Sequence, residues 1–305
     1  MSRAASDSLS LRDALLAIAV TAVWGSNFVV IHVALEHLPP LFLAALRFTV
    51  SFLPAALVLR CPDVPWRNLA AYGILVGAGQ FGLLYIAMNG HITPGLASLV
   101  IQTQVFFTIA LASGLIREKV RPYQVVAVLI AAAGLAIILR HTDGGTTATG
   151  LALVLVAAAC WAGSNLVVRA TPRVDMLAYV VWASLFSVPP LLALSLCREG
   201  WPAIRSGVAQ ADATTWCAVL WQAIGNTLFG YAMWGRLLAR YPVATIAPMA
   251  LLVPVFGLAT SALVLGETLD DWKLAAAGLV MAGLALNLLW PRLKAAIARE
   301  RPSAT

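Results

Sequence analysis

Two short stretches carry side chains that are unusual for their setting: Trp24-Gly25-Ser26-Asn27 and, half a chain later, Trp161-Ala162-Gly163-Ser164-Asn165. Each lies inside a long apolar run, and each places an indole and an amide three or four residues apart, on one face of a helix. Further amides, Gln80, Gln102, Gln104 and Asn226, and two phenols, Tyr85 and Tyr231, fall in other apolar runs. Amides offer donors and an acceptor without charge, and aromatic faces attract an ammonium group. This is the chemistry of holding a zwitterionic or amphipathic solute, not of breaking bonds. An enzyme would need His, Cys, Asp or Glu converging at depth, and the sequence has no such cluster. A plainer alternative stays open: the indoles fill space, and the amides tie helices together at about 0.6 kcal/mol per bond.

These residues must be positioned by membrane helices. Of 305 residues, 61% are apolar and 11% charged, with mean hydropathy +0.88. Soluble domains are nearer a quarter charged. Apolar runs of a length that crosses a ~30 Å hydrocarbon core recur along the chain. They lie at 14–34, 41–60, 69–88, 95–115, 123–139, 150–168, 176–196, 216–235, 243–265 and 274–290. An all-α integral membrane protein of ten transmembrane helices is expected, with a surface element possible only in 197–215. The first run is longer than a signal-peptide core and carries the Trp24–Asn27 insert, so it reads as a retained helix. The cysteines Cys61, Cys160, Cys197 and Cys217 have no metal-ligand spacing. No metal and no cofactor is expected.

Net charge is +7, but no basic run is long enough for nucleic acid. The charges instead sort by side. Counting Lys and Arg in the loops puts 15 on the side of the N-terminus and 4 on the other, with Arg47 inside a span. By the positive-inside rule both termini are cytoplasmic.

The two inserts extend into a whole-chain repeat. Gly25-Ser26-Asn27 matches Gly163-Ser164-Asn165 at an offset of 138, Gly79-Gln80 and Tyr85 match Gly225-Asn226 and Tyr231 at 146, and Gly134-Leu135-Ala136 matches Gly283-Leu284-Ala285 at 149. The expected domains are a first five-helix repeat at 14–139 and a second at 150–290, with cytoplasmic tails at 1–13 and 291–305. Five is odd, so the second copy enters the membrane from the opposite side. Inverted repeats of this kind support alternating access around a midplane site.

The chain resembles the drug/metabolite transporter superfamily, specifically proteins with two EamA domains. The stretches that carry the resemblance are Val23-Trp24-Gly25-Ser26-Asn27-Phe28-Val29-Val30, Pro39-Pro40 through Ala45-Leu46-Arg47-Phe48, Gly95-Leu96-Ala97-Ser98-Leu99-Val100, Gly230-Tyr231, Ala247-Pro248 and Leu251-Leu252-Val253-Pro254-Val255. Within that family it is most similar to the exporters of cysteine and O-acetylserine, with exporters of aromatic amino acids as relatives. The resemblance implies a small-molecule substrate of the amino-acid class and an Arg at position 47.

Depth counting at ~1.5 Å per residue places Trp24 and Trp161 roughly 15 Å in, near the midplane, from opposite sides. Gln80 and Asn226 reach the same level, Gln104 lies slightly outside it, and Asn27 and Asn165 flank it. The expected substrate-binding residues are therefore Trp24, Asn27, Gln80, Tyr85, Gln102, Gln104, Trp161, Asn165, Asn226 and Tyr231. Arg47 is the charge inside a span, and intramembrane charge is functional by default. It is a candidate for gating or for a substrate carboxylate, or it snorkels toward Glu36. Its repeat counterpart is Trp182. Pro248 and Pro254 bracket the midplane of the ninth helix as hinges or static kinks. All 13 acids fall in termini, loops or helix ends, which disfavours a proton relay through a carboxylate.

The sequence reads as an inner-membrane exporter of amino acids or related metabolites, facilitated or exchanging. Its partners are a small-molecule solute and the lipid bilayer. No obligate protein partner is evident. Export of other amphipathic solutes or drugs, of multidrug or nucleoside/sugar type, is the alternative. A receptor or scaffold would bring a sizeable soluble domain, and none is present.

Overall fold

The computed structural model describes residues 9–142, 145–171 and 174–300. Among them the chain is helical throughout, with no strand. The helices are α1 (Leu11–Leu35), α2 (Pro40–Ala56), α3 (Trp66–Met88), α4 (Pro94–Leu115), α5 (Pro122–Arg140), α6 (Ala148–Arg169), α7 (Met176–Arg198), α8 (Gly200–Gln210), α9 (213–240), α10 (243–265) and α11 (Asp271–Glu300). Eight of these are long and apolar enough to cross a membrane, and α2 is a shorter apolar helix. The remaining expected span, the eighth at 216–235, falls in α9, which is long enough but carries Gln222, Asn226 and Thr227 buried within it. The short α8 occupies the segment between spans.

Local chemistry explains the helix ends. Pro40, Pro94 and Pro122 begin α2, α4 and α5, where the missing N–H costs nothing. Ser10, Thr147, Asp175 and Asp212 cap α1, α6, α7 and α9 with side-chain oxygens. Asp212 accepts from the N–H and hydroxyl of Thr215, which holds its carboxyl below the usual carboxylate range. Helix α4 ends at Arg117 (φ 59°) and α10 at Gly266 (φ 68°), both left-handed. Glycine adopts that conformation freely, whereas arginine does so at a cost of about 1–2 kcal/mol. Helix α11 continues to Glu300, ten residues beyond the run ending at 290, because a helix satisfies its own backbone in water as well as in lipid.

Irregular turns recur at matched places. Helix α3 widens into a π-helical turn at Leu75–Gly82 and α9 at Trp221–Phe229, both beginning at the offset of 146 found for their glycines. Helix α4 tightens into a 3₁₀ turn at Ile101–Thr103 and α10 at Ala247–Leu251, again beginning 146 apart. Pro248 lies in the second of these but the first has no proline, so proline is not the common cause.

Packing pairs the halves across the chain: α5 with α11, α2 with α7, α1 with residues 252–265 of α10, and α6 with residues 104–116 of α4. The α5–α11 contact is reciprocal. A Cβ on Gly134 would stand 2.8 Å from the Ala276 carbonyl oxygen, and one on Gly283 would stand 2.6 Å from that of Ala127. Gly134 and Gly283 are 149 apart, as are Ala127 and Ala276, so matched residues exchange the same contact on antiparallel helices.

Polar contacts gather the helix ends into two groups. In one, Asp13 of α1 meets Tyr241 and Arg240 beyond and at the end of α9, Glu118 meets Arg169 at 2.8 Å, and Asn68 meets Thr171 and Tyr179. In the other, Glu199 accepts from the first N–H groups of α2, His37 meets Thr215, and the His91 carbonyl accepts from Thr147. Glu267, there too, accepts from the Gly95 N–H and from the hydroxyls of Thr93 and Ser261, and pairs with Lys273 at 3.4 Å. Glu118 and Glu267 hold matching places after their left-handed residues. Their exposures differ: both partners of the first pair are more than half exposed, and both of the second are 6% exposed.

The reciprocal contact makes a symmetrical prediction. Gly134→Ala and Gly283→Ala should each destabilise the protein by about 1–3 kcal/mol, the usual cost of overpacking a fitted site. Thermal unfolding in detergent checks this, and strongly unequal losses would contradict the reciprocity.

Candidate functional site

A cavity of about 300 Å³ lies where α1, α3, α4, α6, α9, α10 and the start of α7 converge. Its walls include Trp24, Asn27, Gln80, Gln102, Gln104, Trp161, Asn165, Asn226 and Tyr231, which is every expected substrate-binding residue except Tyr85. Residues from both halves of the chain thus meet around one space.

The elements set these side chains from opposite directions. On α1, the Trp24 indole N–H donates to the backbone carbonyl of Asn226 at 3.1 Å, and its ring packs on Tyr231 and Trp234 at 5.8 and 5.1 Å between centroids. This approach needs a glycine: a Cβ at Gly230 would stand 2.3 Å from the indole nitrogen. On α6, Asn165 donates to Gln104 Oε1 of α4 at 2.8 Å. Gln102 donates weakly to the Ala250 carbonyl at 3.5 Å.

Gln80 and Asn226 sit in the two π-helical turns. A widened turn disrupts the regular backbone ladder, and such turns recur at functional sites. Among the described residues, no group pairs with the side-chain amides of Gln80 and Asn226 or with the Trp161 indole N–H. These are free to meet a solute.

The structure places other candidates elsewhere. Tyr85 is fully buried and bonds to Arg47 and to Gln222 of α9, so its hydroxyl is spent inside the protein. Arg47 is 1% exposed, with no snorkelling toward an interface. Its guanidinium donates to Tyr85 and Thr227 at 3.1 Å each and covers the Phe81 ring at 3.8 Å. Trp182 donates to the Leu59 carbonyl and packs on Phe52 and Trp66, away from the cavity. Pro254 is buried in α10 beside the lining residue Val253, and Pro248 belongs to the 3₁₀ turn whose Ala250 reaches the wall.

Sequence reasoning passed over four aromatic members of the wall: Phe28, Tyr72, Phe81 and Trp234. Two had a signal. Phe28 follows Asn27 in the insert, and Trp234 lies one turn after Tyr231. A second space of about 270 Å³ adjoins the first, sharing Gln102, Gln104, Trp234 and Ala250, and is otherwise apolar. No carboxylate lines either space, and no group of three or more His, Cys, Asp or Glu among the described residues could hold a metal.

The sequence profile of the EamA-like transporter family matches this chain twice, over residues 11–140 and 148–289. The chain is 40% identical over 292 residues to a protein of Salmonella typhimurium named probable amino-acid metabolite efflux pump, covering 94% of this chain and 98% of that one. An Escherichia coli protein of the same name is 36% identical over 295 residues, covering 95% and 99%. A probable terminal-alkyne amino-acid exporter of Streptantibioticus cattleyicolor is 26% identical over 299 residues, covering 91% and 94%. A solved crystal structure superposes with a TM-score of 0.62 at 20% identity, covering 98% of this chain and all of the other, and so shares the fold. Two profile matches across nearly the whole chain, and relatives matched end to end, make this protein a member of the EamA-like transporter family.

Proposed function

We propose that the protein exports amino acids or closely related metabolites across the bacterial inner membrane by alternating access. The observation that carries this reading is the cavity: indoles, amides and phenols from both halves surround one space, and no acid lines it. The names of the relatives point to the same class of solute. The proposed site is Trp24, Asn27, Gln80, Gln102, Gln104, Trp161, Asn165, Asn226 and Tyr231, with Tyr85 supporting it from behind. Uncharged walls favour facilitated movement or exchange over a proton relay through carboxylates.

The reading also takes the protein as ten spans in two inverted five-helix repeats, 14–139 and 150–290, with both termini cytoplasmic. Three observations support it: the paired π and 3₁₀ turns, the reciprocal Gly134 and Gly283 contacts on antiparallel helices, and the division of helix ends into two groups. In this arrangement two seams trade places. Gly25 is pressed into α10, where a Cβ would stand 2.5 Å from the Val253 carbonyl oxygen and 2.9 Å from the Gly257 nitrogen. Its counterpart Gly163 faces only Leu75, at 3.5 Å and beyond, with no atom of α4 within 4 Å. The α1–α10 seam is thus closed tightly at its glycine, whereas the α6–α4 seam, though packed, keeps space at its own. By the charge count, the tightly closed seam is the outer one, and the conformation faces inward.

Export of a panel of amino acids from proteoliposomes, with and without a pH gradient, tests the function. Trp24→Ala and Trp161→Ala should insert normally and lower transport by about tenfold or more, the loss of roughly 1.4 kcal/mol of binding. Wild-type rates in both variants would remove the cavity from the mechanism. Strong acceleration by inward-moving protons would sink the uncoupled reading. Gly163→Val should keep the thermal stability of the wild type, since space is open around it, yet slow transport about tenfold by blocking the closure of its seam. Normal transport by that variant would show that the seam does not close.

A further inference from the structure

Among the described residues Arg47 is the one charge buried at the centre of this bundle, and its surroundings leave it uncompensated. Among the described residues no carboxylate pairs with it, its Nε has no partner, and its two bonds go to the neutral hydroxyls of Tyr85 and Thr227. A guanidinium stays ionised at any accessible pH, so it cannot escape the cost by losing a proton. A lock between helices could be made from neutral groups, as the Tyr85–Gln222 bond beside it already is. The charge itself therefore needs a use.

Phe81 supplies the link to the cavity. Its ring carries the guanidinium at 3.8 Å and also forms part of the cavity wall. A solute carboxylate in contact with the free part of that ring would stand roughly 7–8 Å from the cation, one further contact distance away. At that range, with an aromatic ring rather than bulk water between them, a full positive charge is still felt by a carboxylate. The cavity wall holds no negative charge to cancel it.

We infer that Arg47 is the fixed counter-charge of the cavity: acting through Phe81, it selects solutes that bear a carboxylate and disfavours cations of the same size. This deepens the proposed exporter reading and rests on it. Arg47 is then a positioning residue for the cargo carboxylate, not a ligand in contact with it. It follows that a cationic amphipathic drug is a poor cargo even though the aromatic walls would suit it.

The test compares, in proteoliposomes, phenylalanine and each other amino acid that the wild type exports with the corresponding carboxamide, which keeps the ammonium and lacks the carboxylate. Wild type should prefer the amino acid by about tenfold or more, a ratio that Arg47→Gln collapses toward one and Arg47→Lys retains within about threefold. Thr227→Glu, which keeps the guanidinium but sets a carboxylate against it, should collapse the ratio as well, and carries the test if Arg47→Gln does not insert. Parallel losses for both solutes, with the ratio unchanged in Arg47→Gln or in Thr227→Glu, would make Arg47 a lock and overturn the inference. So would loss of the ratio in Arg47→Lys. A wild type that exports amino acids and their carboxamides equally overturns the inference alone, whereas one that exports no amino acid overturns the exporter reading and this inference together.

Discussion

A helix in hydrocarbon must satisfy its own backbone, yet a recognition cavity needs polar groups turned inward at that same depth. The π-helical turns at Leu75–Gly82 and Trp221–Phe229 reconcile these demands, and the centre of the structure depends on them. Each widens one turn without breaking the helix, and each presents an amide, Gln80 or Asn226, to the cavity. The carbonyl of Asn226 accepts the Trp24 indole, so α1 is anchored to α9 where the latter departs from α-helical geometry. Glycine is the enabling residue: Gly79 and Gly225 occur within the two turns, and Gly230 lets the indole come close.

Much of the fold was legible in the sequence, for reasons tied to its solvent. In a membrane, span length is dictated by bilayer thickness, so apolar runs mark helices within a few residues; the run at 243–265 coincides with α10. Recurrence of Gly-Ser-Asn and Gly-Leu-Ala at nearly constant offsets marks the two halves as related, as the two family matches do. Depth counting puts Trp24, Trp161, Gln80 and Asn226 at one level with Asn27, Asn165 and Gln104 around it, and the structure gathers all of them around one space. The π turns were not legible, because a one-residue change in helical pitch leaves no periodic signature. Tyr85 matches the cavity residue Tyr231 in the repeat. It turns instead to Gln222, a residue whose counterpart, Val76, is apolar, so the repeat misled where the two halves had diverged. Tyr72 and Phe81 could not be told from packing residues, because these helices are apolar nearly all round and show no face.

The bundle is held by contacts of unlike character. At the reciprocal α5–α11 crossing and along the Gly25 seam, small residues bring backbones together, and dispersion between fitted surfaces does what burial from water does in soluble proteins. Around the cavity the contacts are fewer and polar, with several donors unpaired. Within that bundle, among the described residues, Asn27, Gln80, Asn226 and Trp161 keep polar groups without protein partners at the place where a solute meets them. At Gly163 the matching seam leaves space, and Asn165 and Gln104 bridge α6 and α4 by a side-chain hydrogen bond.

The two glutamates after the left-handed residues give the molecule unequal ends. Glu118 and Arg169 meet in the open, where ions and water compete for both, and such pairs are worth at most about 1 kcal/mol. Glu267 lies enclosed by two hydroxyls, a backbone N–H and Lys273, out of reach of salt. Losing either charge there would strand the other. On the proposed alternating-access reading, such a protein need not idle halfway between its two poses. Raising ionic strength would then loosen the Glu118 end and leave the Glu267 end untouched, a directional bias that a symmetrical pair of repeats would forbid.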